Sequence, residues 1–162
     1  MNPLTLDFLP MPTIHGNLNS RRALIDVGLQ PTLVATGSVS ASYSPASFNI
    51  SPLKGLIDTG AQITCITRSA AKQMGLTPRG KRRLGNVHSI EYHTSYSFVL
   101  GVWYDIENGE MQNLTRGYFG FEPVMGCDFG DNSNFDVLIG MDIISQGEFS
   151  IKKDGRFEWV LD

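Results

Sequence analysis

Asp58 stands between Leu56-Ile57 on one side and Thr59-Gly60 on the other. A carboxylate set among apolar strand residues is costly to bury unless it is hydrogen-bonded or put to use. Gly60 permits a backbone bend that turns amides towards the carboxylate, and Thr59 brings a hydroxyl that can brace the turn. On its own the tripeptide reads equally well as a strand-end carboxylate capping a turn and as a general acid or base. A second segment, Val137-Leu138-Ile139-Gly140, lies about 80 residues later and is another apolar strand ending in glycine, followed by a short helical stretch.

Other chemically able residues form weaker patterns. Leu24-Ile25-Asp26-Val27-Gly28 nearly repeats the Asp58 segment, but Val27 lacks the hydroxyl of Thr59 and no apolar-apolar-Gly segment with a helix follows it at a matching distance. Asp26 therefore reads as an ordinary strand carboxylate. His88 and His93 have no third ligand at zinc spacing. Cys127–Asp136 is oxygen-rich, yet lacks the ligand spacing and closing Glu of a calcium loop. No metal site and no cofactor are expected. Arg79, Lys81, Arg82 and Arg83 make the one dense basic run; it reads as a solvated hairpin arm or as an electrostatic attractant for acidic substrates.

The elements that must position these residues are mostly strands. Residues 1–20 contain three prolines and little periodicity, and read as an arm or irregular edge preceding a domain over 21–162. Strands are expected at Ala23–Val27 and Thr32–Ser40, a loop at Ala41–Pro52, and two strand halves across Gly55–Ile66. Thr67–Met74 is the clearest helix, with Thr67 as N-cap and Gly75 and Pro78 ending it. Gly80–Val102 reads as a hairpin with a polar tip near Gly85–Ser89, and Tyr104–Phe121 as another turning at Glu107-Asn108-Gly109. Cys127–Asn134 reads as a polar loop, Met141–Gln146 as a short helix, and Glu148–Leu161 as a hairpin around Lys153-Asp154-Gly155.

The chain has 162 residues, 41% of them hydrophobic, enough for one cored domain. Thirteen basic against sixteen acidic residues give a formal charge of −3, which argues against a dedicated nucleic-acid binder. No apolar run reaches the length of a membrane span, and the N-terminus lacks the basic and apolar regions of a signal peptide. Cys65 and Cys127 then read as reduced structural thiols in a cytoplasmic protein.

Together, Leu56-Ile57-Asp58-Thr59-Gly60-Ala61 and Val137-Leu138-Ile139-Gly140-Met141-Asp142-Ile143-Ile144 resemble the signature pair of retropepsin-like aspartic proteases, the retroviral-type single-domain family. The order of the segments and the helix between them also match, over about Arg22 to Leu161. The resemblance implies an all-β, closed-barrel acid-protease fold with one main short helix, acting as a homodimeric endopeptidase on an extended peptide. It implies that Asp58 is the catalytic acid, that Thr59 ties two such loops together across the dimer, and that Gly60 supplies backbone donors. Ala61 completes the loop, and Leu138, Ile139 and Gly140 support it from beneath. Ala61 brings no hydroxyl to the carboxylate, so work at mildly rather than strongly acidic pH is expected. Gly80–Val102 takes the place of the family's flap, with Gly85, Asn86, Val87 and His88 near substrate, though this tip holds fewer glycines than retroviral flaps. Phe157–Leu161 offers a strand of the kind that viral dimers interlace, whereas the proline-rich start is ill suited to that use. The alternative is a non-catalytic dimerisation or peptide-binding module on the same fold.

Overall fold

Alternating and β-branched apolar stretches pair into two sheets in the computed structural model, which describes residues 11–31, 51–85, 90–106 and 115–161. Strand β1 (Thr13–Asn17) is followed by β2 (Ala23–Pro31), β3 (Ser51–Ile57) and β4 (Cys65–Thr67), then helix α1 (Arg68–Gln73). Next come β5 (Pro78–Gly85), β6 (Ile90–Ile106), β7 (Thr115–Gly120), β8 (Val124–Phe129) and β9 (Val137–Ile139). Helix α2 (Met141–Ile144), β10 (Gly147–Ile151) and β11 (Arg156–Leu161) complete the order.

The larger sheet runs β2-β3-β9-β4-β8-β6-β5, with β7 beside β6. Because β2 also pairs with β6, from Val27↔Val102 to Pro31↔Phe98, the sheet closes on itself through six strands. Closure pairs β2 on both sides, while β5 and β7, outside the ring, each pair with β6 on one side. The barrel is filled by Val27, Leu29, Ile66, Phe98, Leu100, Val102, Val137 and Ile139, all fully buried. Close backbone approach is needed at Gly55, where a Cβ would meet Val27 and Ile139 side chains at 2.8 and 2.9 Å.

Helix α1 starts where the sequence says it should. Thr67 is the N-cap and its hydroxyl accepts from the Ala70 amide at 3.2 Å, while Gly75 ends the helix at φ +61°. Four expectations are corrected. Ser51 and Pro52 belong to β3 rather than to a loop. The polar stretch from Cys127 is not a loop at its start, because Val124–Phe129 is a strand in which Cys127 and Asp128 are buried. Asp128 is tolerated there because its carboxylate accepts from the Thr94 amide at 2.9 Å and faces Arg68 at 3.5 Å. The N-terminal arm contributes a strand, since β1 pairs with β11 from Thr13↔Val160 to Asn17↔Arg156. Finally, β11 is the middle strand of the sheet β1-β11-β10, so Phe157–Leu161 is flanked on both sides by its own chain and is not an interlacing strand. The segments 32–50 and 107–114, with the expected strand Thr32–Ser40 and the turn at Glu107–Gly109, lie outside the described residues.

The second sheet packs its apolar face through Trp159, which is fully buried, stacks on Phe121 with ring centroids 5.2 Å apart and meets Phe149 edge-on. Among the described residues its buried indole Nε1 has no hydrogen-bond partner. That N–H therefore offsets part of what the ring contributes by packing. Trp159→Ala is expected to lose about 3–5 kcal/mol in urea denaturation. Trp159→Phe, which keeps an aromatic and removes the orphan N–H, is expected to lose less than half as much. Equal losses would contradict this account of the ring.

Candidate active site

Asp58 follows directly on β3, at the point where the strand leaves its neighbour. Strand β9 lies between β3 and β4, parallel to the first (Leu56↔Leu138, Ile57↔Ile139) and antiparallel to the second (Cys65↔Leu138, Ile66↔Val137). The last rung is Asp58 N–H to Ile139 C=O at 3.0 Å. Beyond it the chain turns back: the Ala61 amide donates to the Asp58 carbonyl at 3.1 Å, and the Gly60 amide to the Asp58 carboxylate Oδ1 at 2.9 Å. Gly60 does what its type promised, bringing an amide onto the carboxylate. Asp58 is half-buried, with Thr59 and Gly60 exposed beside it.

The loop is then stitched to the segment after β9. Met141 N–H donates to the Ala61 carbonyl at 2.9 Å and Asp142 N–H to the Gln62 carbonyl at 3.2 Å. In return, the Asp142 carboxylate accepts from Thr64 twice, from its amide at 3.0 Å and its hydroxyl at 2.7 Å. The same hydroxyl oxygen accepts from the Gly140 amide at 3.1 Å. Thr64 is fully buried, so these bonds are charge-assisted and sheltered from water. Gly140 is obligatory here for space, because a Cβ would sit 2.5 Å from the Ile63 backbone carbon.

The structure thus brings Asp58, Thr59, Gly60 and Ala61 together with Leu138, Ile139 and Gly140. Gly85 ends β5, at the tip of the β5–β6 hairpin; Asn86, Val87 and His88 lie outside the described residues. Thr64 and Asp142 were not anticipated as a pair. Asp142 finds its partner 78 positions away. The available signal was a hydroxyl six residues after Asp58 and a carboxylate two residues after Gly140.

The competing carboxylates resolve into structural roles. Asp26 faces Lys54 across β2 and β3 with a contact of 2.6 Å. Lys54 precedes Asp58 by four strand positions, about 13 Å at ~3.3 Å per residue, so Asp26 and Asp58 form no pair. Asp131 accepts from the Ser69 amide at 2.8 Å at the start of α1, and that bond holds its carboxyl below the usual range. Asn132 Oδ1 accepts from the amides of Asn134 and Phe135. Burial pushes the Cys65 thiol up to about 11, so it stays protonated. Cys65 and Cys127 stand in register on β4 and β8 as free thiols. No helix among the described residues is long and apolar enough to cross a membrane.

A strand-borne Asp-Thr-Gly loop stitched to an apolar-apolar-Gly strand in a closed barrel defines the acid-protease class of fold. The chain belongs to the aspartyl protease family, whose model matches residues 44–143. Among solved structures it is similar to a retropepsin-like aspartic protease from Rickettsia conorii, at 16% identity over 92% of this chain and 90% of that one, with a TM-score of 0.54. At that identity the likeness establishes the retropepsin-like fold. No curated protein matches the chain.

The clamp between Asp142 and Thr64 gives a direct stability test. Asp142→Ala leaves a buried hydroxyl and amide of Thr64 without their acceptor and is expected to cost about 3 kcal/mol. Asp142→Asn, which keeps one acceptor oxygen, is expected to cost about half of that. An unchanged denaturation midpoint in the Ala variant would contradict the clamp.

Proposed function

We propose that this chain is an aspartic endopeptidase whose site is completed by a second copy of itself. Peptide hydrolysis by this chemistry needs two carboxylates sharing one proton around a water. One carboxylate takes a proton from the water as its oxygen attacks the scissile carbonyl carbon, and the protonated one donates to the carbonyl oxygen. The tetrahedral diol then collapses, the C–N bond breaks, and the amine leaves with a proton from the carboxyl group. Each chain brings Asp58, and a two-fold axis would set it against Asp58 of the other copy, because an isologous contact repeats the same residue from both sides.

The observation that carries this reading is the state of the loop. Asp58 has its backbone fixed to β9 and its carboxylate touched by the Gly60 amide, while Thr59 and Gly60 stay exposed around it. A structural carboxylate makes the same turn-capping bond; what favours a reactive one is that the braced loop stays open around it, where a reacting carbonyl can reach. Thr59, exposed at the loop's apex, is the residue assigned to bind the facing loop, and Leu138, Ile139 and Gly140 hold the floor. Substrate would lie extended, with the β5–β6 hairpin, including Gly85, Asn86, Val87 and His88, closing over it. A cytoplasmic setting is part of the reading, supported by two free thiols standing in register.

The test compares wild type with Asp58→Asn on a mixed peptide library from mildly acidic to neutral pH, with sedimentation of both proteins. Wild type is expected to cleave as a dimer, with its optimum on the mildly acidic side. The variant is expected to keep the dimer and lose at least about a thousandfold in rate. A stable wild-type dimer that cleaves nothing would overturn the proposal in favour of a peptide-binding module.

A further inference from the structure

The charge of this chain is strongly segregated. Six of its 13 Lys and Arg residues, and none of its 16 Asp and Glu residues, fall between Thr59 and Ile90, leaving seven cations against sixteen anions elsewhere. Four of the six, Arg79, Lys81, Arg82 and Arg83, lie exposed on β5. None of these four has an ion-pair partner among the described residues.

The β5–β6 ladder sorts these cations by face. Cross-strand partners share a face, and successive residues alternate. Arg82 opposite His93 and Leu84 opposite Glu91 form one face. It is anchored and carries its own acids: His93 Nδ1 is 2.7 Å from the Asp128 carbonyl oxygen and 3.6 Å from its carboxylate, with Glu91 at 3.9 Å from the other ring nitrogen. The opposite face holds Lys81 beside Thr94, Arg83 beside Tyr92, and Ile90. It is the continuation of the face on which β6 buries Phe98, Leu100 and Val102 completely. On the hairpin that same face has run out of partners, and Tyr92 and Ile90 are 71% and 57% exposed.

An inward face that is apolar, cationic and free of acids suits a short extended segment with apolar and acidic side chains. We infer that Lys81 and Arg83, with Tyr92 across from Arg83 and Ile90 one pair further along the same face, select substrate peptides carrying Asp or Glu beside an apolar scissile pair. The inference rests on the protease reading for what happens after binding, and deepens it by naming the substrate class. A nucleic acid fits less well, because a uniform polyanion running past the hairpin would meet the net negative charge of the rest of the chain, seven cations against sixteen anions. A peptide touches only the patch.

The test measures binding to Asp58→Asn, which needs no cleavage. The probes are two labelled peptides with one apolar centre, flanked by Glu in one and Gln in the other, and an oligothymidylate of similar length. At low salt the Glu peptide is expected to bind about 5-fold or more tighter than the Gln peptide, and the advantage is expected to fade at high salt. Adding Lys81→Ser and Arg83→Ser together should abolish the preference. Arg82→Ser, on the anchored face, should preserve it. All three residues are exposed, so the fold is not at stake. Equal binding of the two peptides, including no binding of either, overturns the inference. So does a preference that survives the double substitution, or tighter capture of the oligonucleotide through Lys81 and Arg83. If the preference holds but wild type leaves the Glu peptide uncut, the substrate surface stands and the protease reading is what fails.

Discussion

One carboxylate holds the site together, and it is not the one in the Asp-Thr-Gly loop. Asp142 accepts from both the amide and the hydroxyl of Thr64, and that hydroxyl in turn accepts from the Gly140 amide. These bonds fasten the segment after β9 to the end of the loop that Asp58 begins. Without them, the three residues of β9 would keep their place between β3 and β4 by ladder bonds, and the segment after β9 would be held to the loop by the two backbone bonds of Met141 and Asp142. A three-residue strand is a weak wedge; a charge-assisted clamp in a buried setting makes it a fixed one. The position of Asp58 follows, because its amide bonds to the last residue of that wedge.

The barrel gives the clamp its rigidity. The return of β2 onto β6 closes six strands into a ring, so β3 cannot shift without disturbing Val27, Leu29, Leu100 and Val102 in the packed interior. Segregation of charge follows the same plan. The cations gather on the hairpin that extends past the core, while the carboxylates of the body are spent on caps and ion pairs such as Asp131 to Ser69 and Asp26 to Lys54. What the body leaves unspent is the loop itself, with Asp58 half-buried and Thr59 exposed.

Much of this was legible in the sequence, and the limits have physical causes. Asp58-Thr59-Gly60 and Leu138-Ile139-Gly140 could be paired because together they resemble the retropepsin-like signature, which each segment carries within a few residues. Helix α1 was legible because its signals are local, with Thr67 and Gly75 marking its ends. Thr64 and Asp142 were not, since a hydrogen bond spanning 78 positions leaves no periodic trace. Asp128 misled because polarity signals a loop unless a partner is known, and its partners, Arg68, His93 and Thr94, come from α1 and β6. The proline-rich start hid β1 because a five-residue edge strand needs little pattern when β11 supplies the template. By the same pairing, Phe157–Leu161 is central where an interlacing terminus would be at an edge.

The central claim is that two copies of Asp58 act together, and mixing subunits tests it most directly. Wild type and Asp58→Asn are combined at constant total protein, allowed to exchange, and assayed as the fraction of wild type is varied. If catalysis needs both carboxylates, only pairs of two wild-type chains are active, and an equal mixture retains about one quarter of full activity. A linear decline, with about half retained, would mean that each chain works with its own Asp58 alone, and would contradict the account.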